Sequence, residues 1–431
     1  MKPLFLLLLF ALLTSEAQDI DSDNLDKEEV INRFSSLMFE NYSDASISKK
    51  VKEALSQSLR EGSYDNILTK QKFAGTITKD IQRVSGDSHL SVHYDPVRVK
   101  MIKDPSGVGK ELDMEWFQEN VVRWNYYFDK LELLPGNIGY LKLDGISRYE
   151  AAKKIESAVM FLADSEAIII DLRSNGGGHT EAAVLLSSYF FGRDPVQLSS
   201  HIDLKTGKER QYWTLPVVSG VKLPDKDLYL LVSRRTFSSG EGFAYDLQAL
   251  GRATLIGEKT AGGAGTSSER FVLDDDFYCW LPTTEIINPI TKQGYKDGVI
   301  PDIEISGDQA LERAQFEILK KRIDQSEEID KTDQWFFSLL ESKLEPYTLG
   351  ADLLIKYVGK YDTVEISLDD TTLFYKRGNS EKVEIIPMGQ NEFRFSDYEY
   401  GKLIFKVEKE KIVGLQRVYL YANSIIHAKT E

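Results

Sequence analysis

The chain has 431 residues, with 53 Lys and Arg against 68 Asp and Glu, for a net charge of −15. With 42% hydrophobic and 28% charged residues, it has the composition of a folded globular protein, which excludes a disordered, collagenous or polytopic membrane chain. The acidic balance argues against a nucleic-acid binder. The single cysteine, Cys279, rules out intramolecular disulfides and multi-cysteine metal sites.

Lys2, the apolar run Leu4 to Leu13 and the small residues Ser15 and Ala17 read as a secretory signal cleaved after Ala17. The run is too short to span a bilayer, so the expected location is periplasmic or secreted, with no stable membrane insertion. Val30, Ile31, Phe34, Leu37 and Met38 recur at helical spacing, as do Val51, Ala54, Leu55 and Leu59, and a third helix is expected over 76–84. Residues 20–95 are thus expected to form a helical N-terminal domain ending in a strand at 90–94. Strands are expected over most of 97–135, around Trp116, Trp124, Tyr126 and Tyr127.

Beyond residue 137 the apolar runs 138–143, 167–171, 228–232 and 253–257 read as buried strands alternating with helices at 149–162, 180–189 and 241–250, which implies a layered α/β core over 96–305. A charged helix follows at 306–325, with Asp308 as a candidate N-cap, and then an acidic, linker-like stretch at 324–333, so that 306–345 is expected to be a helical linker. Short alternating runs over 346–431 imply a small antiparallel β domain.

Three segments carry groups suited to chemistry. In Thr236-Phe-Ser-Ser-Gly-Glu241 a serine sits between a buried strand and a helix start, where free N–H groups and the helix dipole suit an oxyanion. An N-cap role for Ser238 or Ser239 is the plainer alternative. Asp171-Leu-Arg-Ser-Asn-Gly-Gly-Gly178 lets backbone N–H groups approach a ligand closely, and no G-K-[ST] follows to make it a phosphate loop. Gly86-Asp-Ser-His89 offers a base, although a lone loop histidine is more often simply solvated.

Arg173–Gly178, Thr236–Glu241, Leu250–Gly257 and Gly298-Val-Ile-Pro-Asp-Ile303, in this order, resemble the core of the tail-specific, or C-terminal processing, serine peptidases. The resemblance implies a crotonase-like, caseinolytic-protease-like α/β fold. Where serine–lysine members carry their lysine this chain has Gly263, and the acidic residue of that branch falls on Ala249; Lys259 lies close by and is a weaker candidate. The helical N-terminal stretch, with Gly62-Ser-Tyr-Asp65 and Gly86–Val92, is similar to the branch holding the tricorn core and the interphotoreceptor retinoid-binding proteins. That branch implies Ser238 as nucleophile, His89 as base, Ser88 as the residue that orients it, and Gly178 and Ser239 as oxyanion donors. The glutamate that completes the relay falls on Tyr295, with Asp297 as a possible substitute. The expected activity is serine-type hydrolysis of peptides or unfolded proteins, with no metal or cofactor. The alternative is a non-catalytic binder of an apolar ligand on the same fold.

Overall fold

The computed structural model describes residues 25–104, 120–262 and 266–430. The leader expected at 1–17, Trp116 and Gly263 lie outside them. Three helices open the described chain: α1 (Lys27–Asn41), α2 (Ala45–Arg60) and α3 (Lys70–Ser85). Each has a side-chain cap, because Asp26, Asp44 and Thr69 accept hydrogen bonds from first-turn N–H groups that have no intrahelical partner. α3 starts six residues before the expected point. It ends on Gly86, whose left-handed φ of 72° turns the chain into the loop 87–90 and then into β1 (Ser91–Tyr94).

The strands expected just after residue 96 are instead a helix, α4 (Pro96–Lys103). The reason is local. Asp95 accepts from Arg98 N at 2.8 Å, and Pro96 occupies the first turn, where its missing N–H costs nothing. Among the described residues of 97–135 there is one strand, β2 (Phe128–Leu134).

Next come β3 (Ile138–Leu143), α5 (Ala152–Leu162), β4 (Ala167–Asp171), α6 (Thr180–Ser188), β5 (Gln197–Asp203), β6 (Glu209–Trp213), β7 (Asp227–Val232), α7 (Ser239–Ala249), β8 (Thr254–Gly257), β9 (Thr266–Val272), β10 (Phe277–Ile287) and β11 (Ile303–Glu304). A six-stranded sheet runs in the order β11-β8-β7-β4-β3-β2, parallel except for β2. Its central strands are apolar on both faces because both faces are covered. On one face Leu141, Ile170 and Leu230 pack against α5, α6 and α7. On the other, Ile169, Leu231 and Ile256 pack against α8 (Ala310–Gln325) and α9 (Lys331–Leu344). The N-cap position of α8 belongs to Gln309 rather than Asp308, and the acidic stretch before α9 ends in Asp330, which caps that helix. The chain is therefore a mixed α/β protein.

A second sheet has the order β1-β10-β5-β6, with β9 on the other edge of β10. Phe277, Cys279 and Leu281 of β10 pack with α1, α2 and α3 into a separate apolar cluster. The C-terminal part is an antiparallel sheet of eight strands from Gly359 to Ala428, nearly closed by a bridge between Tyr361 and Lys429. Its interior holds Tyr357, Tyr361, Phe393 and Phe405.

Candidate active site

Ser238 stands at the C-terminal edge of the six-stranded sheet, between β7 and α7, as the N-cap residue of α7. Its backbone has φ 54° and ψ −126°, a conformation costly for any residue with a Cβ. Surrounding bonds hold it there. Thr236 Oγ1 donates to Leu172 O at 2.8 Å and accepts from Ser233 N at 2.9 Å, while Phe237 N donates to Asn175 O at 2.9 Å. Ser238 N donates to Glu241 Oε2 at 2.9 Å. Glu241 is fully buried and also accepts from Thr260 Oγ1 at 2.5 Å and Gly262 N at 2.8 Å. Burial raises its carboxyl above the usual range, and these hydrogen bonds oppose the rise.

The glycine-rich loop lies against this turn. A methyl group on Gly177 would sit 2.6 Å from Ser238 Cβ, and one on Gly178 (φ 144°) would run into the carbonyl oxygen of Ile146. Only glycine fits at either position. Arg173 anchors the start of the loop, pairing with Asp171 at 2.6 Å and donating to Gly307 O at 2.6 Å. Ser239 Oγ donates to Gly178 O at 2.8 Å, which ties the two loops together. Among the described residues neither Gly178 N nor Ser239 N has a hydrogen-bond partner. Two adjacent free donors beside a serine hydroxyl can hold a developing oxyanion.

Both loops open into a cavity of about 770 Å³, and four of the chain's five histidines line it. Three of these are occupied or suppressed. His93 Nε2 bonds Ser91 Oγ at 2.8 Å, His179 Nε2 accepts from Arg148 Nε at 3.2 Å, and burial lowers His201 to about 4. The fourth, His89, stacks on Phe237, the residue before Ser238, with ring centroids 4.6 Å apart. Neither of its ring nitrogens has a hydrogen-bond partner among the described residues.

Asp87 stands beside it. Asp87 Oδ1 accepts from His89 N at 2.9 Å and lies 3.3 Å from His89 Nδ1, close enough for charge pairing although the ring is not aligned for a hydrogen bond. Its other oxygen accepts from the Tyr42 hydroxyl at 3.0 Å. Burial, and then Asp87, push the Tyr42 phenol far up, so it remains a neutral donor.

The remaining residues expected at the site fall elsewhere. Ser88 is exposed and does not line the cavity, and its recorded contact is the backbone O···Gln82 Nε2 bond at 3.1 Å. Asp297 is exposed on the turn closed by Gly298 N and Tyr295 O, also outside the cavity lining. Lys259 is exposed and outside it too. Tyr295 is buried and does line the cavity. The Gly298–Ile303 motif is structural here, since Asp302 accepts from Leu255 N at 2.7 Å and from Gln248 Nε2 at 2.9 Å. Sequence reasoning missed Asp87 and Glu241. Both were in view inside the motifs, but neither carried a signal apart from its position beside the residues named.

No helix among the described residues is long and apolar enough to cross a membrane, and no group of three or more His, Cys, Asp or Glu there could hold a metal ion. The chain is 27% identical over 185 residues to the carboxyl-terminal-processing protease of Picosynechococcus sp., a match covering 42% of this chain and 43% of that one. It is 27% identical over 215 residues to the carboxy-terminal processing protease CtpA of Bacillus subtilis, covering 48% and 42% respectively. The matches thus span less than half of these relatives' lengths. A solved structure of a protein from Parabacteroides merdae superposes with a TM-score of 0.48 at 15% identity, covering 69% of this chain and 98% of that one. For the tricorn protease the TM-score is 0.38 at 14% identity, covering 73% and 37%. Residues 137–305 match the model of peptidase family S41, and residues 15–118 match the N-terminal domain of Peptidase S41 in eukaryotic IRBP. Together the two models cover more than half of the sequence, and the chain belongs to peptidase family S41.

Proposed function

We propose that this chain is a serine peptidase that cleaves peptides or unfolded proteins through an acyl-enzyme, with Ser238 as nucleophile and His89 as general base. The observation that carries the reading is the convergence at one cavity of a strained serine, two free backbone donors and an imidazole with unengaged nitrogens. Asp87 next to Nδ1 favours the tautomer that leaves Nε2 free to accept a proton. His89 takes the proton from Ser238 Oγ as the Oγ–C bond forms, and the N–H groups of Gly178 and Ser239 hold the oxyanion. The C–N bond then breaks, the amine leaves with the proton from His89, and water repeats the sequence to free the acid. Asp87, rather than Ser88 or Asp297, orients the base.

Family membership and the buried parallel strands support a crotonase-like layering of the core. The N-terminal apolar run supports a secreted or periplasmic location. The test is reaction with a fluorophosphonate probe and cleavage of an unstructured peptide. Wild type should do both, and Ser238→Ala neither. Cleavage by Ser238→Ala rejects the nucleophile, whereas a wild type inert in both assays that retains an apolar ligand favours the binder.

A further inference from the structure

On α7, Gly242 and Asp246 lie four residues apart and so share one helix face, and together with Ser238 just before the helix they line the cavity. Leu198, Phe243 and Ile286 add apolar wall. The cavity lining thus includes both the candidate nucleophile and, further along α7, a carboxyl group. Eight residues of helix span about 12 Å, and the distance is shortened because helical side chains lean towards the N-terminus.

Asp246 is only 8% exposed. Its Oδ1 accepts from Asn288 Nδ2 at 2.9 Å, and its Oδ2 has no partner among the described residues. No Lys or Arg pairs with it there. The one Lys or Arg among the residues lining the cavity, Arg210, is 3.5 Å from Glu181. A largely buried acid with one oxygen left open to a cavity that it lines is placed to meet a ligand there.

We propose that Asp246 defines the substrate class of this site: it floors the pocket for the side chain that precedes the scissile bond and selects a long cationic one, lysine or arginine. The assignment rests on the peptidase reading above. The alkyl stem lies along Leu198, Phe243 and Ile286, and the charged head meets Oδ2, the arrangement such side chains adopt on apolar surface. Burial raises the empty pocket's acid to about 8, and an arriving cation restores the carboxylate. The titratable neighbour facing it, Tyr295, is itself pushed well up by burial and stays neutral, so it does not compete for the cation.

The test uses the full chain and fluorogenic peptides that differ only in that side chain. Wild type should show kcat/KM at least tenfold higher for Lys and Arg than for Leu or Ala, and Asp246→Asn should lower the Lys-to-Leu ratio at least tenfold. A wild type that prefers Leu or Ala overturns the assignment, as does an unchanged ratio in Asp246→Asn. Benzamidine binding, followed by calorimetry, needs no hydrolysis. It should bind Ser238→Ala and bind at least tenfold more weakly to Ser238→Ala combined with Asp246→Asn; equal binding overturns the assignment. Benzamidine binding that depends on Asp246 in a protein that cleaves nothing would defeat the peptidase reading alone. Cleavage indifferent to the side chain would defeat the Asp246 assignment alone.

Discussion

Asp87 Oδ1 holds His89 at two points, accepting its backbone N–H at 2.9 Å and lying 3.3 Å from its ring Nδ1. One carboxylate oxygen therefore anchors the loop and also stands beside the imidazole. Asp87→Asn should keep the loop bond but lose the charge. We expect kcat to fall about 10²–10⁴-fold with KM little changed, since an amide can stabilise the wrong tautomer. Fluorophosphonate labelling of Ser238 should slow in parallel. Wild-type labelling rates in that variant would remove Asp87 from the mechanism.

Ser88 provides the matching control. Its side chain is exposed and makes no recorded contact with His89. Ser88→Ala should retain peptide cleavage to within about threefold, the range of a surface change. A loss of a hundredfold would mean that Ser88, not Asp87, orients the base.

The backbone of Ser238 stores strain at φ 54°, worth about 1–3 kcal/mol. Ser238→Gly relieves it but makes the unfolded chain more flexible, by about 0.4–1 kcal/mol. The glycine variant should be inactive yet as stable as wild type, or up to about 2 kcal/mol more stable in urea unfolding. A clear loss of stability would show that the turn is not strained.

Glu241 receives three donors, from Ser238 N, Thr260 Oγ1 and Gly262 N. Glu241→Gln must turn an NH₂ towards one of them. The mismatch should destabilise the fold by about 1–3 kcal/mol and, by tilting Ser238, lower kcat as well. Thermal melts and steady-state rates read the two effects separately, and an unchanged melt would refute the account of this carboxylate.

Asp246 gives a pH signature. Burial raises it from 3.8 to about 8. Between those values the folded state keeps a proton that the unfolded state has lost, so its contribution to stability is full below about pH 4, declines as pH rises and levels off above about pH 8. The slope is at most about 1.4 kcal/mol per pH unit. Asp246→Asn should remove that decline from a series of urea melts, and an unchanged slope would mean the acid is already ionised at neutral pH.

The apolar runs at 138–143, 167–171 and 228–232 made the central strands legible in the sequence, because a strand covered on both faces has few polar positions to blur it. The helix Pro96–Lys103 was hidden. Val97 and Val99 alternate as a strand would, and the deciding feature is the bond from Arg98 N to the Asp95 side chain. Ser238 and the glycine loop stand out because each sits next to a recognisable buried strand, whereas His89 is singled out by the family resemblance alone. Asp87 and Glu241 differ in sequence from ordinary loop and helix acids only in what the folded chain brings to them. Asp246 reads as one more polar residue on a helix until Asn288, some forty positions on, is seen donating to it.

His89 follows α3, whose apolar face packs with β1 and the first half of β10, whereas Ser238 stands over the packing between α7 and the six-stranded sheet. The hydroxyl and the imidazole thus stand over two apolar clusters that share β10, and the ring resting on Phe237 joins them. Apolar contact, rather than a hydrogen bond to its nitrogens, thus sets where the ring rests against the turn that carries the serine.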